Sequence, residues 1–521
     1  MDFMSNHEAK YYFHNLKFDG AFIVDYLLRN GFKHTTGKSL YINTFSTLIS
    51  DMGAWYSIAI CFDNGTEVRI IDSLKLITMK IEDMPKTFGL SEKKLDLDYT
   101  SEREIGHVLT EHEKAYLGND VIILAKSLAY MINGQGLTKL TTASNALYDF
   151  KQRYGPKAYK RDFGDDTMSL ITDDFIRRSY KGGFTYLNPI YRNKAVGEGC
   201  VYDVNSMYPW AMKYCLLPYD RPVWFRGEYK EEPEYPLYVQ RLLCEFKVKP
   251  GYIPTIQIKN SIYADNEYLE YSVEPTFLTL TNVDLELFFE HYDVNVIEFT
   301  DGYMFKAKHG IFDEYIDYWY HIKEESARQG NKGMKHTAKL FLNSLYGKFG
   351  ARRSGCSKIP YLDDETDKVK YKLTEEEPRT GGYLPIATFI TSYARDKIIR
   401  AAQKCGKRFI YADTDSLHVN GLEPVPGIDV DDFRLGAFKI EERFKRAKFI
   451  RQKTYLEIFE NDGKEEMNIK CAGMPQNIKD TVKEEDFVEG QEFYGKLMPT
   501  IVPGGVILKE TTFKIKEIHY S

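Results

Sequence analysis

Apolar and polar residues recur on two different periods along this chain, and the switches between them mark its elements. Gly199–Val204 is a short, nearly continuous apolar run ending at a polar turn, which predicts a buried strand. His336–Tyr346 places Ala338, Leu342 and Leu345 on one stripe, the spacing of an amphipathic helix. Arg408–Val419 reads as strand, turn and strand: apolar Phe-Ile-Tyr, then Ala-Asp-Thr-Asp-Ser, then Leu-His-Val. Three polar stretches read as connections or insertions: Tyr154–Asp174, Arg226–Pro236 and Arg352–Gly382. The last is long for a loop, and over-long connections in compact domains are often functional. Helices and strands in mixed order predict α/β and α+β domains.

A length of 521 residues implies several domains, and a hydrophobic fraction of 43% is ordinary for a soluble protein. The cysteines (Cys61, Cys200, Cys215, Cys244, Cys356, Cys405 and Cys471) form no C-x-x-C pair, which argues against a zinc ribbon or disulfide framework and fits a reducing compartment. No bilayer-spanning run is expected, because Lys126 interrupts Val121–Met131, and no leader peptide is expected either. A net charge of -6 is not the overall basic footprint of a phosphate binder. Acidic metal clusters and basic surfaces cancel in such a sum, so local charge decides. The 39 Tyr, 32 Phe and 4 Trp leave some rings for stacking on bases as well as for the core.

Three constellations carry chemistry. Asp203-Val-Asn-Ser206-Met-Tyr208-Pro209 puts a carboxylate at a strand end, followed by a hydroxyl and a phenol; a plain Pro-stopped turn is the simpler reading. Tyr411-Ala-Asp413-Thr-Asp415-Ser416 puts two carboxylates in one hairpin tip. At an effective dielectric of about 20, unit charges ~4 Å apart repel by roughly 4 kcal/mol, a cost that a divalent cation removes. An exposed Asx-turn is the alternative, but the apolar flanks place this turn in a core hairpin. Lys335, Lys339 and Asn343 share one face of the predicted helix, with Tyr346 and Gly347 following. Two lysines so spaced suit a triphosphate, although a solvated lysine face is the commoner outcome.

In this order the segments DVNSMYP, KLFLNSLYG and YADTDS resemble motifs A, B and C of family B DNA polymerases. Lys453-Thr-Tyr455 resembles the family's K-x-Y motif, and Tyr180-Lys-Gly182-Gly183 its Y-x-G-G motif. The similarity is to the protein-primed branch found in small Bacillus phages with linear double-stranded genomes. It extends over YFHNLKFDGAF, GYIPTIQIK and KCAGM.

The resemblance implies a DNA-directed DNA polymerase acting by two divalent ions, Mg2+ or Mn2+. Asp203, the Val204 carbonyl and Asp415 would be ligands, with Asp413 supporting. Ser206, Tyr208, Lys335, Lys339, Asn343, Tyr346 and Gly347 would meet the nucleotide, Tyr208 excluding a 2′-hydroxyl. Tyr180, Gly182, Gly183, Thr391, Arg395, Lys453 and Tyr455 would hold DNA, and Phe444–Tyr455 interleaves basic and aromatic residues as a backbone-tracking groove should.

It further implies a monomer working with primer-template DNA, dNTPs and a terminal protein in the cytoplasm of an infected bacterium. The expected layout is an RNase H-like exonuclease domain over 1–140, palm over 141–214 and 385–485, fingers over 315–350 and thumb over 486–521. A first insertion would occupy 215–314, contacting terminal protein and duplex. A second, at 351–384, would serve processivity and strand displacement.

The exonuclease half of the resemblance is incomplete. Asn15-Leu-Lys-Phe18-Asp19 and Tyr116-x3-Asp120 match its second and third motifs. Ser73, Leu74 and Lys94 match DNA-holding positions, and Tyr12, His14 and Phe18 those that grip a single strand. Its first motif, a D-x-E on an opening strand, is absent near Met1, where the sequence starts a few dozen residues later than its relatives. Proofreading is therefore expected to be absent or weak, and the domain's sheet to lack a strand. Two other readings are an RNA-synthesising polymerase, which Tyr208 disfavours, and a non-catalytic DNA-binding scaffold, which the complete carboxylate set disfavours.

Overall fold

The computed structural model describes residues 1–37, 39–257, 268–502 and 505–516. Ile258 and Lys259, which end GYIPTIQIK, lie outside the described residues, as does part of the expected first insertion and the end of the expected thumb. The chain forms two compact units. The first comprises residues 1–97, 109–159 and 317–382, and the second residues 98–108, 160–316 and 383–521.

The first unit is built on a five-stranded sheet of Lys10–Phe13, Glu67–Asp72, Trp55–Cys61, Thr44–Ile49 and Lys33–His34, in that spatial order. Lys10–Phe13 is an edge strand, parallel to Glu67–Asp72. The Leu16–Arg29 helix buries Leu16, Val24 and Leu27 in the same core as Phe45, Ile58, Ile60 and Ile70. Glu111–Ile132 is opened by a capping box of Thr110 and Glu113. Contrary to the expected break at Lys126, this helix is by length and composition just apolar enough to cross a membrane. Core helices pass the same test, and Tyr116, Ile123, Leu128 and Met131 are buried here.

Two polar stretches are more regular than expected. Pro156–Phe163 and Leu170–Arg177 are helices, the second capped by Ser169. Lys358–Asp363 and Lys368–Leu373 pair as an antiparallel hairpin inside the expected loop. That hairpin packs within the first unit: Val369 joins the sheet core and Tyr371 meets Trp55 edge-on. The predicted helix extends over Lys332–Phe349.

The second unit holds an eight-stranded sheet. Its main path runs Lys464–Cys471, Thr454–Asn461, Phe438–Arg451, Gly199–Val204, Ser416–Asn420, Phe409–Asp413 and Thr185–Leu187, with Ala195–Val196 pairing to Phe438–Arg451. The Leu384–Cys405 helix is buried along one flank with Ala394, Ile398 and Ala402 in the sheet's core. A second antiparallel sheet orders Thr276–Thr281, Leu237–Val248, Tyr292–Lys308 and Leu217–Arg226, backed by the Asn282–His291 helix. Arg226–Pro236 is largely a connection there, as expected.

Candidate active site

Three strands of the second unit bring the carboxylates together. Gly199–Val204 carries Asp203 as its penultimate residue, and its Val204 N–H donates to the Asp415 carbonyl at 2.9 Å. Phe409–Asp413 and Ser416–Asn420 form a hairpin whose tip is Thr414-Asp415. Thr414 adopts a left-handed φ of 62°, which turns the chain in two residues. Register places Asp203 opposite Ser416, and Ser416 opposite Asp413. Cross-strand partners share a face, so Asp203 and Asp413 project from the same side of the sheet.

Asp413 is held by the protein itself. It accepts hydrogen bonds from Thr185 Oγ1 at 3.0 Å and Tyr411 OH at 3.2 Å, and Lys453 Nζ lies 3.6 Å away. Burial and the Asp413 charge push the Tyr411 phenol well above its ordinary pKa, which keeps it a donor. Tyr411 OH also accepts from the Lys453 N–H at 3.0 Å, tying the K-x-Y turn to the catalytic hairpin. Asp203 has Lys439 Nζ at 3.8 Å from its Oδ2.

The donor set fits hard divalent cations, which favour carboxylate and carbonyl oxygens. Among the described residues no three His, Cys, Asp or Glu side chains converge on one point. A site made of two carboxylates, a backbone carbonyl and substrate phosphate needs no such trio.

The Tyr180–Gly183 loop packs on the hairpin tip. A Cβ on Gly183 would lie 2.7 Å from Thr414 Oγ1, and Thr414 N–H donates to the Phe184 carbonyl at 2.8 Å. Arg395 holds the loop from behind, its Nη1 donating to the Lys181 and Gly182 carbonyls at 3.0 and 2.9 Å. The same guanidinium pairs with Asp284 at 2.6 Å. Thr391 and Arg395 are only 1% and 2% exposed, and Thr391 Oγ1 bonds its own helix. Both are among the residues the resemblance places on DNA, and both are buried and hydrogen-bonded within the unit.

Tyr455 is likewise buried, its ring stacked on Phe449 and close to Tyr411. Lys453 is exposed, at a turn with φ 57°. Ser206 precedes the Met207–Tyr214 helix with φ 53°, and Tyr208 packs half-buried on the sheet core. A cavity of about 570 Å³ beside Lys181 is lined by Arg178, Arg241, Gln257 and Arg395, and by none of the three carboxylates.

In the first unit, Lys335, Lys339, Asn343 and Gly347 form one exposed stripe of the Lys332–Phe349 helix. Ala338, Phe341, Leu342 and Leu345 are buried opposite, and Tyr346 is half-buried. A Cβ on Gly347 would meet nothing within 4 Å, so its openness is available to a ligand.

The exonuclease-type residues also gather in the first unit. His14 bonds Ser73 Oγ at 3.1 Å and the Met79 carbonyl at 2.9 Å, and burial lowers its pKa. Buried Asp72 accepts from the Asn15 and Leu74 N–H groups, a pin that sequence reasoning missed. Tyr12 is half-buried and Phe18 exposed. Asp19 is raised in pKa by burial. Asp120 Oδ2 lies 3.5 Å from Lys94, whose ammonium also sits over the buried Tyr116 ring, while Asp120 Oδ1 is buried without a hydrogen-bond partner.

The family described as DNA polymerase type B, organellar and viral, matches residues 1–108 and 96–432. The DNA polymerase of Bacillus phage Nf is 43% identical over 99% of this chain and 92% of its own length. That of Bacillus phage phi29 is 44% identical over 98% and 91%. That of Streptococcus phage Cp-1 is 35% identical over 98% and 88%. The solved structure of phi29 DNA polymerase complexed with primer-template DNA and incoming nucleotide substrates is similar at TM-score 0.91 and 42% identity, covering 99% of this chain and 92% of that one. The chain belongs to the type B DNA polymerases of the organellar and viral group, and is a multidomain DNA polymerase related to those of Bacillus phages.

Proposed function

We propose that this polymerase extends a primer 3′-hydroxyl on a DNA template with dNTPs, using Asp203, the Val204 carbonyl and Asp415 to hold two divalent ions, Mg2+ or Mn2+. The observation that carries this is the sheet row in which Asp203, Ser416 and Asp413 stand side by side, with Asp415 hydrogen-bonded through its backbone to Val204. Divalent cations bound there supply charge neutralisation at the α-phosphate and acidify the attacking hydroxyl. The chain's own residues then position. Asp413, which accepts from Thr185 and Tyr411, supports the hairpin more than it ligates. Lys335 and Lys339 offer point charges to the triphosphate, and Asn343, Tyr346 and Gly347 meet the nascent pair. Ser206 and Tyr208 sit under the sugar, and Tyr208 excludes a 2′-hydroxyl.

Tyr180, Gly182, Gly183 and Lys453 contact the primer-template. Thr391, Arg395 and Tyr455 support them from the core. The relatives' own setting supports phage genome replication in the cytoplasm of a bacterial host. Protein priming by a terminal protein, monomeric action, and strand displacement served by residues 351–384 rest on the resemblance. So do the division into palm, fingers, thumb and two insertions, and the assignment of the exonuclease-type residues. The Lys94–Asp120 ion pair at 3.5 Å supports a proposal of weak proofreading, because it gives this carboxylate a protein counter-charge in place of a metal.

Comparing dNTP with NTP incorporation in Tyr208→Val tests the nucleotide reading: ribonucleotide use should rise steeply, and unchanged discrimination would contradict it. Deleting residues 352–384 should abolish strand displacement while sparing extension on single-stranded template. Undiminished displacement would sink that assignment.

A further inference from the structure

A second lysine besides Lys453 stands at the carboxylates. Lys439 lies on the Phe438–Arg451 strand, directly opposite Asp203 in the antiparallel register. Registered partners project from one face, so backbone pairing keeps Lys439 within reach of Asp203 whichever rotamer its stem adopts. Its Nζ is 3.8 Å from Asp203 Oδ2, with the two side chains 34% and 23% exposed. The register slips just beyond, between Ile440 and Glu442, an irregularity of the kind that re-aims side chains at strand ends. The face therefore reads, across five strands, Lys439, Asp203, Ser416, Asp413, Thr185.

We propose that Lys439 is a tethered counter-ion of Asp203 that competes with the divalent cation for this carboxylate. The inference rests on Asp203 being a metal ligand. An ammonium and a divalent ion cannot both sit on one carboxylate without repulsion. Because the lysine is tied to the sheet, it cannot diffuse away, and its effective concentration at Asp203 stays high. An incoming triphosphate gives Lys439 an alternative anionic partner. The lysine thus couples cation loading at Asp203 to nucleotide arrival, leaving the nucleotide-free site only weakly attractive to divalent ions.

The test is Mn2+ binding to the full chain without DNA or nucleotide, followed by the electron paramagnetic resonance signal of free Mn2+. Wild type, Lys439→Gln, Asp203→Asn and the double variant are compared. Glutamine keeps a polar, uncharged end on a slightly shorter stem, and urea unfolding of Lys439→Gln checks that the fold is retained. Removing the ammonium should tighten Mn2+ binding about three- to tenfold, the scale of a unit charge repelling a divalent ion about 5 Å away in water once salt screening roughly halves the interaction. Asp203→Asn should remove that gain in the double variant. Equal or weaker binding in Lys439→Gln, with Asp203→Asn still abolishing it, would overturn the counter-ion while leaving the ligand intact. Binding unaffected by Asp203→Asn would overturn the ligand assignment itself.

Discussion

Replacing Arg395 with Met separates a residue that touches DNA from one that shapes the surface DNA touches. The guanidinium is 2% exposed and makes two hydrogen bonds to Asp284, at 3.0 and 2.6 Å, and two to the Lys181 and Gly182 carbonyls. Breaking a buried pair by removing one partner typically costs about 3–5 kcal/mol, because the other charge is left unpaired. Asp284 keeps donors from Ser392 Oγ at 2.7 Å and Thr281 Oγ1 at 2.9 Å. Exposed Gly182 lets water replace one lost carbonyl partner. The low end, about 3 kcal/mol, is therefore expected. Hydrogen exchange should rise at the 181–184 amides and in the Asn282–His291 helix, and urea unfolding should shift by this amount. Primer-template affinity should fall along with loop protection. A variant with unchanged exchange and stability but much weaker DNA binding would refute the reasoning, because Arg395 would then be reaching DNA itself.

Other substitutions read different joints of the site. Gly183→Ala puts a Cβ 2.7 Å from Thr414 Oγ1 and must move the hairpin tip; a shift near 1 Å should lower kcat about 100-fold, and Thr414→Gly should recover part of it in single-turnover assays. Tyr411→Phe removes the hydroxyl linking Asp413 to the Lys453 N–H and should destabilise the second unit by about 1–3 kcal/mol, seen as earlier urea unfolding. His34 has its pKa lowered to about 4 by burial, so between about 6.5 and 4 the unfolded chain takes up a proton that the folded one refuses. Stability of the first unit should fall as pH drops through that window, and His34→Gln should flatten this part of a pH–stability series.

Local signals were readable where one segment carries its own geometry. The Asp203 strand and the Asp413–Asp415 hairpin formed as expected, because their apolar flanks are buried on both faces. The lysine stripe was readable from a four-residue repeat on an otherwise apolar helix. Leu384–Cys405 was not predicted as a helix, because its first turns are buried all round and apolar periodicity vanishes. The Lys358–Leu373 hairpin was missed although Lys368–Leu373 alternates strictly as Lys-Val-Lys-Tyr-Lys-Leu, because its charged turn and the acidic run after it made the whole stretch read as one polar loop. Pairings set by tertiary register were not readable at all. Lys439 beside Asp203, and Asp284 beside Arg395, join residues far apart in sequence with no local mark of their meeting. Nothing in the sequence around Arg395 announced its burial or its Asp284 partner.

The central claim is that Asp203 and Asp415 organise nucleotidyl transfer. It is tested most directly by primer extension with Mg2+ and dNTPs, comparing wild type with Asp203→Ala and Asp415→Ala. Each variant should bind primer-template but lose extension by on the order of 1,000-fold or more. Extension that survives both substitutions would contradict the account.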